Sequence, residues 1–157
     1  MAARPITTTA RLAEVIESAL PPRKPGQSHP ATRSFQAIRI AVNDEFGELV
    51  RGLEAAERIL KANGHLAVVS FHSLEDRIVK RFFQQGTGGA QGSRHAPAAQ
   101  QDAPRWKARN KGLTASDQEV AQNPRARSAT LRVGVRTHEP AKPADRASLG
   151  LPKGVTV

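Results

Sequence analysis

Residues 65–83 read HLAVVSFHSLEDRIVKRFF, and this stretch decides the fold. From His65 to His72 it is a short, nearly continuous apolar run with Asn63-Gly64 before it and polar residues after it. Such a run predicts a buried strand of a parallel sheet. Ser73-Leu74-Glu75-Asp76 follows, with capping-box spacing between Ser73 and Asp76. Leu74, Ile78, Val79, Phe82 and Phe83 then recur at helical spacing. A helix also precedes the strand, and the order helix, strand, helix is the pattern of an α/β sheet.

Upstream, Leu12, Val15, Ile16, Ala19 and Leu20 mark one apolar face of a helix. Thr7 to Thr9 offer N-cap oxygens, and Pro21-Pro22 end it. A second helix is predicted from about Ala31 to Asn43, with Phe35, Ile38 and Val42 on its inner face and Pro30 at its start. Asn43-Asp44 reads as a junction. A third helix runs to about Ala62 on the stripe Phe46, Leu49, Val50, Leu53, Ala56 and Leu60, and Asn63-Gly64 stops it. Downstream, residues 86–104 turn to Gly, Ala, Gln, Ser and Pro, the composition of a flexible insertion. Thr114 to Gln122 carries capping spacings for a short helix. Ala129 to Val135 alternates Leu131, Val133 and Val135 with polar residues, as a half-buried strand does. Residues 137–157, rich in Pro, Lys and Gly, read as a disordered tail.

The formal net charge of +10 is unevenly spread: residues 1–85 carry +3 and residues 86–157 carry +7. A basic segment releases condensed counterions when it meets a polyphosphate, so RNA or ribosome binding is the leading physical reading. A basic tail that only confers solubility is the other. Without cysteine the chain has no disulfide, no thiolate metal site and no thiol nucleophile. It shows no signal peptide and no run long enough to span a bilayer, so a cytoplasmic location away from the membrane is expected.

Three clusters could carry chemistry. In residues 29–43, His29, Arg33, Gln36 and Asn43 are RNA-binding candidates, because Arg, Asn and Gln form paired hydrogen bonds with phosphates and base edges. An amphipathic helix with a solvated face explains the same residues. In the second cluster, Ser70, His72 and Ser73 sit where a strand gives way to a helix, the place where open α/β sheets bind ligands. Glu75 and Asp76 lie in the first helical turn, where the dipole favours carboxylates, so capping accounts for them. No G-x-S-x-G elbow supports a hydrolase there, and His72, Glu75 and Asp76 lack the paired-histidine spacing of a metal site, so no metal is expected. The third cluster, Asn123-Pro124-Arg125-Ala126-Arg127, offers Arg125 and Arg127 to RNA phosphates or simply to solvent.

Together HPATRSFQAIRIAVNDE (29–45), GHLAVVSFHSLEDRIVKRFF (64–83) and NPRARSATLRV (123–133) resemble the C-terminal signatures of the RsmH (MraW) family of small-subunit rRNA methyltransferases, and ITTTARLAEVIESAL (6–20) resembles the segment before them. The resemblance implies transfer of a methyl group from S-adenosyl-L-methionine to N4 of a cytidine in 16S rRNA. It implies a partial Rossmann-like methyltransferase sheet, made of the C-terminal strands and preceded by helices of the substrate-recognition insertion. On that pattern residues 1–45 end the helical insertion, 46–136 form the C-terminal part of the methyltransferase domain, and 137–157 are the tail.

The family's Gly-Gly-His-Ser cofactor loop and Asp-Leu-Gly-x-Ser-Ser motif do not occur in the sequence. Gly86-Thr87-Gly88-Gly89 follows a helix rather than a strand, the wrong context for a cofactor loop. No cofactor-binding residue is therefore expected in this chain, and the catalytic base is not identified. A fragment or split frame is expected, inactive by itself. Its partners would be the small-subunit RNA and either a chain with the N-terminal half or a second copy, since half a parallel sheet leaves an open edge and an apolar face. The alternatives are a non-catalytic RNA- or ribosome-binding module and a remnant that folds poorly.

Overall fold

The computed structural model describes residues 5–21, 26, 28–88 and 103–151, which divide into two compact units between residues 45 and 46. The first unit holds α1 (Thr9–Ser18) and α2 (Thr32–Asn43). The Thr8 side chain caps α1 by accepting from the Arg11 amide at 3.2 Å, which satisfies one of the donors a helix start leaves open. The helix ends at Ser18, ahead of the proline pair. In α2 the expected inner stripe is only partly realised. Phe35 is half-buried, but Ile38 and Val42 are exposed, and Ile40 is the buried residue instead. The chain turns out of α2 at Asp44, whose left-handed backbone (φ 50°) makes the predicted junction.

Glu45 opens α3 (Glu45–Ile59), and the second unit continues with β1 (His65–Ser70), α4 (Ser73–Gly86), β2 (Trp106–Ala108), β3 (Leu113–Thr114), α5 (Asp117–Gln122) and β4 (Thr130–Arg136). Short 3-10 turns cover Pro124–Ser128 and Arg146–Ser148. The mixed helix-and-sheet architecture is the expected α/β class. Strand β1 forms where its apolar run predicts, but its pairing among the described residues is antiparallel. It pairs with β4 from His65 opposite Val135 to Ser70 opposite Thr130. The reason is topological: the chain re-enters the sheet at Thr130, beside the carboxyl end of β1, so β4 must run back against it. The sheet order is β1-β4-β2, and β3 also pairs with β4.

The side of the sheet that α4 covers also departs from expectation. Alternation points to Leu131, Val133 and Val135 as the inner face. Yet Arg132 and Gly134, of the opposite parity, meet α4: Arg132 through Asp76 and Gly134 against Phe83. A Cβ on Gly134 would stand 2.3 Å from the Phe83 ring, so close helix–sheet contact requires glycine there. The core around α4 is Ile78, Val79, Phe82, Phe83 and Trp106, each no more than 4% exposed. Burial of side chains this size contributes about 1.5–3 kcal/mol apiece. On the far side of the sheet Val69, Leu131 and Leu113 form one cross-strand row, and Val69 and Leu113 are more than half exposed. A strand with one open face is therefore not the fully buried strand its composition suggests.

One further departure concerns the tail. Residues 137–151, expected to be disordered, pack on α3 and α4. Leu149 is completely buried, Arg81 donates to the Ser148 carbonyl, Gln85 exchanges hydrogen bonds with the Asp145 backbone, and Glu54 accepts from the Ala144 amide. Composition alone could not reveal this, because the tail is held by backbone groups and by two apolar residues, Ala144 and Leu149. Of the predicted flexible insertion 86–104, residues 89–102 lie outside the described residues. Its flanks meet where the Arg105 amide donates to the Gly86 carbonyl at 2.7 Å.

Candidate functional site

Ser70 closes β1 at the carboxyl end of the strand. It is buried, 5% exposed, and its hydroxyl lies 3.4 Å from the Thr130 carbonyl it donates to. After it the backbone leaves the sheet through Phe71 and His72, and His72 rather than Ser73 occupies the N-cap position of α4. The expected Ser73–Asp76 capping box is thus shifted by one residue. Glu75 supplies the reciprocal half, its Oε2 accepting from the amides of Phe71 at 3.0 Å and His72 at 3.4 Å. Ser73 is exposed in the first turn.

His72 is the unusual residue of this turn. Its ring packs edge-on to Phe46, with centroids 6.1 Å apart, and its Nε2 lies 3.3 Å from Glu75 Oε1. Neither ring nitrogen has a hydrogen-bond partner among the described residues, although both are screened from solvent. The contact with Glu75 is the polar interaction the ring makes among the described residues, and a phenyl ring would keep only the packing on Phe46. Asp76 needs no functional role. It holds Arg132 of β4 through two hydrogen bonds of 2.7 and 2.9 Å, a paired geometry that fastens the helix to the sheet. The sequence offers no signal for that pairing, because the partners lie 56 residues apart.

The antiparallel register decides what else stands at this end of the sheet. Ser70 is opposite Thr130, so the 3-10 turn just before β4 lies at the same end as the Ser70–Ser73 segment. Asn123 caps that turn by accepting from the Arg125 amide at 3.2 Å, and Ala126 anchors it in the interior. Arg125 and Arg127 are exposed, and among the described residues neither has an ion pair. Two of the three predicted clusters therefore share one edge of the second unit.

The remaining cluster belongs to the first unit. His29 Nδ1 accepts from the Ala31 amide, and its Nε2 meets the Glu17 carboxylate at 2.9 Å, so it ties α1 to the start of α2. Asn43 donates to Glu45, which also receives a two-pronged contact from Arg39. Gln36 is half-buried, whereas Arg33 is exposed and, among the described residues, without an ion pair. Of the four, Arg33 has the most accessible cation for a phosphate.

The described residues do not fit S-adenosylmethionine. Neither strand-to-helix turn among them, Phe71-His72 or Ala115-Ser116, has a glycine to let the backbone approach the cofactor. Gly86 is taken up by packing, since a Cβ there would meet the Trp106 ring at 2.3 Å. No described helix is long and apolar enough to cross a membrane.

The sequence profile of the MraW methylase family matches residues 1–137. The chain is 61% identical over 153 residues to the ribosomal RNA small subunit methyltransferase H of Dinoroseobacter shibae, covering 96% of this chain and 46% of that protein. The protein of the same name from Cereibacter sphaeroides strain KD131 gives the same identity and coverage. The one from Jannaschia sp. strain CCS1 is 56% identical over 151 residues, 94% of this chain and 46% of its own length. The chain thus spans a little under half the length of these curated relatives.

Proposed function

The chain belongs to the MraW methylase family, and from that premise we propose that it supplies the RNA-facing part of a methyltransferase acting on N4 of a cytidine in small-subunit (16S) ribosomal RNA. The observation that carries this reading is the convergence at one sheet end of Ser70, His72 and the exposed pair Arg125 and Arg127. The relatives are named ribosomal RNA small subunit methyltransferases, which favours rRNA as the substrate class. Bound S-adenosyl-L-methionine would supply the methyl group, and its contacts would come from outside the residues described here.

What this chain contributes is positioning. The lone pair of cytosine N4 is delocalised into the ring, so the base must be held in one orientation while the amine sheds a proton. A base inside a helix also has to leave its stack. Arg125 and Arg127, with Arg33 on the other unit, hold RNA phosphates. Ser70, His72 and Ser73 form the cytidine side of the pocket, with the exposed Ser73 hydroxyl available to the edge of the extruded base. By itself the chain is inactive, and it works with a polypeptide that brings the cofactor loop or with a second copy. The open row Val69, Leu131 and Leu113 is the apolar surface such a partner covers. The setting is the cytoplasm, where ribosomal RNA is made.

Two measurements test this reading. Calorimetric titration of the purified chain with S-adenosylmethionine is expected to give no heat of binding. Micromolar affinity would mean that these residues build a cofactor site after all. For RNA, the double variant R125Q/R127Q is expected to lower the salt dependence of binding, the slope of log K against log salt falling by about 1.4 for two phosphate contacts on a single strand. An unchanged slope would remove the turn from the RNA surface.

A further inference from the structure

The second unit contains a cavity of about 360 Å³ on the C-terminal half of α4, away from the Ser70–Ser73 turn. Its volume lies within the usual range for small-molecule sites. Along the helix axis Gln84 stands about 16 Å from Ser73, at 1.5 Å per residue. The buried ring of Phe83 gives the cavity an apolar wall.

The polar groups around that wall divide into used and unused. The Arg132 guanidinium is committed to Asp76 and to the Lys111 carbonyl. The Asn110 amide is spent on β4, donating to the Leu131 carbonyl and accepting from the Val133 amide. By contrast Lys80 and Lys111 both line the cavity, are exposed, and among the described residues have no ion pair. The Gln84 side chain also lines it and makes no hydrogen bond among the described residues. Two ammonium groups without counter-ions beside an aromatic wall suit a ligand that is anionic at one end and flat and weakly polar at the other.

We infer that this cavity binds one nucleotide of a single-stranded RNA, its phosphates on Lys80 and Lys111 and its base or sugar against Phe83, an inference that rests on the RNA substrate proposed above. The lysines act as point charges for the phosphates, and the Gln84 amide is available to the base edge. A strand, rather than a free nucleotide, fits the openness of the arrangement: among the described residues no glycine loop lines the cavity to enclose a phosphate. The strand would then follow α4 from the turn at its start to the cavity near its end.

The test uses the 157-residue chain and a short, unstructured, fluorescently labelled RNA titrated at several salt concentrations. K80Q and K111Q are each expected to lower the slope of log K against log salt by about 0.7, and together by about 1.4. K61Q removes an exposed lysine that does not line the cavity and is expected to leave the slope as it was. Equal losses in all three variants, or none in K80Q and K111Q, would overturn the inference while leaving RNA binding intact. If the parent chain binds no RNA, the substrate reading fails and takes this inference with it. Cytidine monophosphate serves as the second probe, and only weak competition is expected. Competition at concentrations as low as the RNA itself, lost in the double variant, would make the cavity a free-nucleotide site and overturn its assignment to a strand.

Discussion

Replacing Arg105 with methionine is expected to cost the chain about 3–5 kcal/mol, the usual penalty for breaking a buried ion pair from one side. Glu57 of α3 is 1% exposed and its Oε1 is held by Arg105, while its Oε2 has no hydrogen-bond partner among the described residues. Without the guanidinium, a carboxylate is left buried without its ion-pair partner. Arg105 also donates to the Lys142 carbonyl, so the ordered tail loses an anchor in the same variant. A small domain is stable by only about 5–15 kcal/mol, so the loss is large enough to place the transition near ambient temperature. Adding Glu57→Leu to Arg105→Met is expected to return most of the stability, because the desolvation cost disappears with the charge. Urea unfolding of the two variants measures both effects. A single variant as stable as the parent would mean that water reaches Glu57 and that the pair contributes little.

Replacing His72 with phenylalanine is expected to separate structure from function at the proposed site. Its ring already packs against Phe46, and its nitrogens are buried without hydrogen bonds among the described residues. A phenyl ring keeps the packing and removes two polar atoms without hydrogen bonds, which offsets the lost contact with Glu75, so stability should hold. Activity should fall. In a full-length relative with the same Ser-Phe-His-Ser turn, loss of one preorganised hydrogen-bonding group is expected to lower turnover about 100–1000-fold. A fall in kcat with KM nearly constant would put the imidazole at the reacting amine. A rise in KM alone would put it at the RNA. Unchanged turnover, with a more stable protein, would show that His72 belongs only to the core.

Much of the architecture was legible in the sequence because it follows from local chemistry. Apolar spacing located α1 to α4 and the strands β1 and β4, and the capping oxygens of Thr8 and Ser116 lie within three residues of the amides they bind. The Asn63-Gly64 stop is equally local, since Asn63 adopts the left-handed conformation (φ 67°) that a helix exit favours. The three clusters at residues 29–45, 64–83 and 123–133 also carry the family resemblance in sequence alone.

Tertiary structure decided whatever depends on partners far away in sequence. Periodicity gives the two faces of β4 but not which one meets a helix. Arg132 and Gly134 face α4 because Asp76 offers a counter-charge and Phe83 needs a glycine opposite, 56 and 51 residues away. A strand's composition does not fix the direction of its neighbour, so β1 was legible and its antiparallel pairing was not. The tail over 137–151 looked disordered because so few of its residues are apolar, yet backbone hydrogen bonds to Arg81, Gln85 and Glu54 hold it. The same rule governs function: residue types nominated Ser70, His72, Arg125 and Arg127, but only the register of β1 with β4 brings them to one end of the sheet. Local propensity sets the elements, and long-range pairing of charges, backbone and shape sets how they meet.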